Sequence, residues 1–389
     1  MSVLKQLPIQ TIAILNTSIL NGIRGLAALY VLVGHARWLL WEGYNGGYIL
    51  HPKTYSWSTK ILVYAFAIFG KGHIAVILFF VLSGFVIHYS TIKQDKIKFD
   101  IPDYLKRRFL RIYPPLIFCM LLTLILDFTG KYVFGYSIYF QRTPVPLINS
   151  NIISNLNWMT AVGNLLMVQN VYTPVWGTNG PLWSLMYEWW FYMLYPLIYY
   201  VYKKNKYLCY TIVWLLFILA SNGLFDNKLA SSVFNYLLCW SLGALLADVL
   251  LEKISLYWFI VPFVICVIEF SINGPYSKSI YQPAIVDTLI GFVFTALLFA
   301  LLKFKTLFSL HSIFDRFNLL GDYSYTLYVI HLPILVMING IVLSLTGNRM
   351  PQNFYIMFIS IAFVLVTAYS IHFLTEIPFR RKIVAKVIK

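Results

Sequence analysis

The chain has 389 residues, of which 60% are hydrophobic and 11% charged, with a mean hydropathy of +0.73. A soluble domain carries about a quarter charged residues, so the composition excludes an ordinary soluble fold and points to lipid as the solvent. The net charge of +16 would suit nucleic acid on a soluble surface. Here the basic residues fall in short loops between apolar spans, so no nucleic-acid partner is expected.

The four cysteines (Cys119, Cys209, Cys239 and Cys266) lie inside apolar stretches without CxxC spacing. They read as small core residues, not as nucleophiles, ligands or disulfide partners. The N-terminus lacks the charged start, short apolar core and A-x-A site of a cleaved signal, so residues 1–21 are expected to form a retained interfacial segment. Apolar segments then recur up to residue 373 and leave no room for a separate soluble core. The expected fold is all-α and polytopic, with about ten transmembrane helices in one bundle over residues 22–376. A basic cytoplasmic tail follows over 377–389.

A span needs about 20 mostly apolar residues. In chain order that criterion selects roughly 22–42, 72–90, 112–128, 183–202, 207–222, 231–251, 256–272, 284–302, 322–346 and 353–374. The region 61–90 is open between one long tilted helix and a half-span followed by a full one. Segment 158–171 is too short to span and reads as re-entrant. With the N-terminus placed in the cytoplasm, 21 of the 30 Lys and Arg residues collect on the inner side. Seven of these lie between Lys93 and Arg111 and three at Lys203, Lys204 and Lys206. Both termini are therefore expected to be cytoplasmic.

Polar groups inside a span are costly and rarely decorative, so they are the first candidates for chemistry. In the first span His35 follows Arg24 by eleven residues, about three helical turns and about 16 Å of rise, which returns both to one face. Arg24 falls near the cytoplasmic end and His35 near mid-span. An imidazole can act as general base or carry an acyl group; equally, it can be a structural histidine bonded to a backbone carbonyl. Ser83 and Gly84 in the second span are small residues suited to close helix approach.

Further on, Arg107 and Arg111 share a helical face, with Arg108 beside them, and Pro114 or Pro115 suits the first turn of the next span. Such a guanidinium cluster fits phosphate recognition, or a basic anchor on lipid headgroups. The fourth span carries Ser184 and Glu188 four residues apart on one face. A carboxylate there needs an interior partner, and it can orient an imidazole or bind a sugar hydroxyl. Trp183 can stack on a sugar or belong to an aromatic interface belt. In the ninth span Ser324, Tyr328 and His331 share a face. Glu376 can pair with an inner-face arginine, while Asp248 and Glu269 receive no assignment.

Taken together these segments resemble the acyltransferase-3 family of membrane acyltransferases. The matching elements are Arg24 with His35, Phe-Phe-x-Leu-Ser-Gly-Phe at 79–85 and Arg-Arg-x-x-Arg-Ile-x-Pro at 107–114. Trp-Ser-Leu-x-x-Glu at 183–188 and Ser-Tyr-x-x-Tyr-x-x-His at 324–331 complete the set, in family order across about 350 residues. The resemblance implies a ten-helix bundle that uses cytoplasmic acyl-CoA, acetyl-CoA in the first instance, to acylate hydroxyls of surface polysaccharides, lipid-linked sugars or small molecules. The family's first-span histidine and arginine carry over to His35 and Arg24, and its basic motif to Arg107, Arg108 and Arg111. Some members carry a C-terminal extracytoplasmic hydrolase-like domain, which is not expected here.

The expected division of labour is catalysis by His35 with Glu188 and His331 in support. Donor phosphates are expected on Arg24, Arg107, Arg108 and Arg111, and the acceptor near Trp183, Ser184, Tyr325 and Tyr328. No metal and no permanently bound cofactor is expected, the acyl-CoA being a substrate. The expected partners are membrane lipid and a glycan or other hydroxylated acceptor, at the bacterial cytoplasmic membrane. Direct transfer and an acyl-enzyme remain equally open. The rival from another class is a transporter or flippase of a glycan or its precursor, in which the same polar groups line a path; it predicts inverted repeats, which the sequence does not clearly show.

Overall fold

Apolar sequence interrupted by asparagine and serine caps makes this a chain of helices. The computed structural model describes residues 9–93, 99–134, 139, 142–143, 148–149, 152, 154–273, 282–304 and 308–379. Most of the predicted basic tail and the first eight residues of the predicted interfacial segment lie outside the described residues. Among the described residues the α-helices are α1 (Ile9–Leu40), α2 (Trp57–Ala65), α3 (Gly72–Lys93), α4 (Ile101–Val133), α5 (Trp158–Leu165), α6 (Trp183–Lys204) and α7 (Lys206–Ser221). They continue as α8 (Lys228–Leu250), α9 (Ile260–Asn273), α10 (Gln282–Lys303), α11 (Phe308–Asp315), α12 (Asn318–Asp322), α13 (Ser324–Leu345) and α14 (Tyr355–Thr375). There is no β-strand among them.

The starts of several helices are written in the sequence. Asn157, Asn205 and Asn227 each sit in extended backbone, and their side-chain oxygens accept from amides two or three residues ahead. These bonds satisfy donors that the first turn leaves open. Among the described residues, seven helices are able by length and composition to cross a membrane: Ser18–Leu40 within α1, then α3, α4, α8, Ala284–Lys303 within α10, α13, and Tyr355–Phe379. The spans predicted at 207–222 and 256–272 correspond to the shorter apolar helices Lys206–Ser221 and Leu256–Ile272. The one predicted at 183–202 is α6, 22 residues long and dominated by Tyr and Trp. The chain is thus an all-α, integral membrane protein.

One local reading is settled and another is narrowed. Region 61–90 is not one helix: α2 gives way to a 3-10 turn at Phe66–Gly70 before α3 begins. Segment 158–171 holds only the eight-residue α5 followed by a turn. A third reading changes. The sequence places Pro114 and Pro115 at the first turn of a span, whereas α4 starts at Ile101 and both prolines lie in its interior. There they remove the N–H partners of the Leu110 and Arg111 carbonyls. Beside these prolines the Tyr325 hydroxyl donates to the Ile112 carbonyl at 3.2 Å.

Packing divides the chain into two compact units. The first comprises Met1–Ala27, Val76–Ile101 and Trp190–Asp322. In it α8 is the central helix, buried along most of its length. A Cβ on Gly84 would stand 2.0 Å from the Trp240 carbonyl oxygen, and one on Gly243 1.9 Å from that of Val81. The predicted close approach at Ser83 and Gly84 is therefore real, and α3 and α8 meet backbone to backbone. The four cysteines of the whole chain are free and buried.

The second unit comprises Ala28–Ala75, Pro102–Trp189 and Tyr323–Lys389. Its centre is α13, of which 83% of the span is buried, against 33% for α14 alongside it. The end of α1 is tied here by Asn339 Nδ2, which donates to the Leu39 carbonyl, and by Trp41 Nε1, which donates to that of Gln352 at 3.0 Å.

Candidate active site

The residues with the chemistry of a catalytic site meet within the second unit. On α1, Gly34 leaves room for the Phe69 carbonyl, 2.6 Å from where a Cβ would stand, and the next residue, His35, turns toward α13. Its Nδ1 lies 2.8 Å from Nε2 of His331. The ring planes differ by 13° with centroids 5.0 Å apart. With the nitrogens only 2.8 Å apart, that separation places the rings edge to edge in nearly one plane, the direction in which an imidazole lone pair points. His331 is 1% exposed, His35 is half-buried, and the indole of Trp38 packs edge-on against His35.

The proton positions follow from the acceptors. His331 Nδ1 is 2.7 Å from the Tyr328 carbonyl and 3.2 Å from that of Leu327. A carbonyl only accepts, so Nδ1 carries the hydrogen. In the neutral ring Nε2 then holds a lone pair and accepts from His35 Nδ1–H. The neutral His35 is left with its lone pair on Nε2. This is the base–orienter arrangement of a catalytic triad, with an imidazole in place of the buried carboxylate. His35 stands in the last turn and a half of α1, nearer the helix end than the mid-span position read from the sequence.

One turn earlier on α13 the Tyr328 hydroxyl lies 2.8 Å from Ser184 Oγ. The Pro181 carbonyl is within reach of both, at 3.2 Å from Tyr328 and 3.3 Å from Ser184. Glu188, one turn beyond Ser184 on α6, is half-buried and acts electrostatically on the Tyr328 hydroxyl. Trp183 stacks on the His73 ring, centroids 5.1 Å apart at 16°, so one indole face is already covered. Tyr325 spends its hydroxyl on α4.

The basic motif lies on α4. Arg107 is ion-paired with Asp103 one turn before it, the Arg108 guanidinium lies 5.1 Å over the Tyr104 ring, and Arg111 is half-buried one turn further. Arg24 is half-buried on the part of α1 that belongs to the first unit. Glu376 accepts from Thr326, at 3.2 Å from its backbone nitrogen and 2.6 Å from Oγ1, and sits 3.3 Å from His372. Among the described residues no three His, Cys, Asp or Glu side chains are grouped to hold a metal.

Two buried polar clusters escape the sequence reading. In the second unit, the segment before α6 is held by α4: Asp127 accepts from the Thr178 backbone nitrogen at 2.8 Å and from its hydroxyl at 2.7 Å, and Trp176 Nε1 donates to the Met120 carbonyl. Asn179 then donates to the Val329 carbonyl of α13 at 2.8 Å. The carboxyl group of Asp127 inside an apolar span was the available signal. In the first unit, Asp248 accepts from Tyr202 at 2.5 Å and Tyr210 at 2.7 Å and lies 3.3 Å from His88 Nε2. The signal there was a histidine inside the second span.

The acyltransferase-3 family model, an acyltransferase domain, matches residues 18–373. Acyltransferase MdmB of Streptomyces mycarofaciens is 32% identical over 136 residues, 34% of this chain and 30% of that protein. An O-acetyl transferase of Shigella phage Sf6 is 31% identical over 146 residues, 36% of this chain and 38% of that protein. The chain therefore aligns with about a third of the length of these curated relatives. No solved structure matches.

Proposed function

The chain belongs to the acyltransferase-3 family, and from that premise we propose that it is an O-acyltransferase. It moves an acyl group, acetyl in the first instance, from cytoplasmic acyl-CoA to a hydroxyl of a surface polysaccharide or lipid-linked sugar at the bacterial inner membrane. The observation that carries this reading is the His35–His331 pair, whose hydrogen bonding directs a free lone pair to Nε2 of the more exposed ring. The names of the two relatives agree with acyl and acetyl transfer.

In the proposed reaction, His35 Nε2 takes the proton of the acceptor hydroxyl as its oxygen attacks the thioester carbonyl. The carbon–sulfur bond breaks, and the proton on His35 passes to the departing thiolate. His331 holds the His35 ring through Nδ1 throughout, and its lone pair stabilises the imidazolium that forms. Tyr328, Ser184 and Glu188 supply the hydrogen-bonding wall for the acceptor. Arg107, Arg108 and Arg111 bind donor phosphates from the cytoplasmic side, a reading supported by the excess of basic residues in the loops assigned to that side.

The test is acetyl transfer from isotopically labelled acetyl-CoA by membranes containing the protein, followed by mass analysis of surface glycans with and without it. The expected result is a mass increment of one acyl group per modified sugar that depends on the protein and vanishes in His35→Ala. Unchanged glycans, with no donor hydrolysis or transfer to lipid-linked sugars, would overturn the reading. Cysteine labelling at Lys204 tests the orientation: accessibility from the outer face would remove the cytoplasmic donor site.

A further inference from the structure

We infer that Asn179 is a positioning residue for the histidine pair, acting through a carbonyl that Pro333 leaves without a donor; this rests on the acyltransferase reading above. The argument starts from the sequence of α13, Tyr328-Val329-Ile330-His331-Leu332-Pro333, with a proline in the helix interior. In an α-helix the carbonyl of residue 329 accepts from the N–H of residue 333. Proline has none, and its ring crowds that same carbonyl. Val329 is buried, so without another donor its carbonyl would be stranded in a dry interior, a costly arrangement.

Asn179 supplies the missing donor. It is fully buried, and its Nδ2 lies 2.8 Å from the Val329 oxygen and 3.3 Å from Thr123 Oγ1. Because the carbonyl only accepts, the amide orientation is fixed with nitrogen toward α13. Its other end, Oδ1, is buried with no hydrogen-bond partner among the described residues. Asn179 is therefore arranged to serve α13 at the expense of its own acceptor. His331 lies between Val329 and Pro333, and its Nδ1 is bound to the carbonyls one turn back. The opened turn is thus the one that carries the orienting imidazole, and Asn179 sets its geometry from outside the helix.

A chain of cause follows. The Asp127–Thr178 bonds fix the segment that presents Asn179, Asn179 fixes the Val329 turn, that turn fixes His331, and His331 holds His35. Asn179 touches no reacting atom. Its removal should loosen the alignment of His331 on His35 and slow the chemical step without weakening donor binding.

A double-mutant cycle on the full-length protein in detergent or nanodiscs tests this with Asn179→Ala, Pro333→Ala and the pair. Acetyl transfer is read as kcat, donor KM and pH profile, and thermal unfolding is read alongside. Asn179→Ala should lower kcat about tenfold or more, leave donor KM within about twofold, and shift the pH at which activity is lost on acidification. In the Pro333→Ala background, where residue 333 brings its own N–H to the Val329 carbonyl, the same change should cost less than about threefold. The melting temperature should show the same dependence on background. Should Asn179→Ala be too unstable to assay, recovery of a folded protein in the Pro333→Ala background supports the proposal, and failure in both backgrounds overturns it. Equal losses in both backgrounds, or a fall in melting temperature with kcat and pH profile unchanged, also overturn it. If the wild-type protein transfers no acyl group, the acyltransferase reading fails, while the background dependence of the melting temperature still decides whether Asn179 serves the Val329 carbonyl.

Discussion

His35 Nδ1 and His331 Nε2 face each other at 2.8 Å with their rings nearly coplanar, although 296 residues separate them in sequence. Residues that act as one unit give losses that do not multiply. His35→Ala should lower turnover by about 10²–10⁴, the usual contribution of general-base assistance. His331→Ala should cost less, since it removes the orienter and leaves the base. The double variant should be no worse than His35→Ala alone. Steady-state acetyl transfer by the three purified variants, with folding checked by gel filtration, decides the matter. Near-normal turnover in His35→Ala, or fully multiplicative losses, would refute the shared role.

The two histidines were legible separately, because each is a polar group at helical spacing inside an apolar run. Their pairing was not, since helical periodicity specifies a face but not the helix that will meet it. Resemblance to a family supplied the set of motifs, not the hydrogen-bond order within it. The span count was readable from hydropathy for the long aliphatic helices and less so for α6, whose tyrosines and tryptophans lower its apolar character. The interior prolines of α4 were misplaced because local rules favour proline in a first turn. Local rules do not contain the tertiary surroundings that tolerate proline in a helix interior. Asp127, Asn179 and Asp248 were passed over because each draws its meaning from partners far away in sequence.

The donor motif carries a feature that separates its two readings. Arg107 is paired with Asp103 one turn before it, and an i,i+4 pair of this kind contributes only about 0.3–0.5 kcal/mol. A phosphate can displace such a carboxylate readily, since charged hydrogen bonds contribute about 1.5–3 kcal/mol. Neutralising Arg107 and Arg111 together as glutamine should therefore raise the donor KM about tenfold or more. Asp103→Asn should leave it unchanged or lower it. Donor titrations on the two variants provide the comparison. If Asp103→Asn impairs donor binding as much as the double neutralisation does, the pair is structural and the basic motif is a lipid anchor.

The last prediction concerns the turn that presents Asn179. Gly177 has φ +56°, a left-handed conformation that costs other residues roughly 1–2 kcal/mol. A Cβ there would also stand 2.3 Å from Asp127 Oδ2 and 2.9 Å from Thr123 Cγ2. Gly177→Ala thus combines backbone strain with displacement of the carboxylate that holds Thr178. Asp127→Ala leaves the Thr178 amide and hydroxyl without that acceptor, and each buried unsatisfied group costs about 1–3 kcal/mol. Asp127→Asn keeps one accepting oxygen and should be milder. Both Gly177→Ala and Asp127→Ala should lower the melting temperature in detergent and expose residues 154–182 to limited proteolysis. Activity should fall with them, because the same segment carries the amide that caps Val329. Gly177→Ala with unchanged melting and protease resistance would show that this turn does not govern the placement of Asn179.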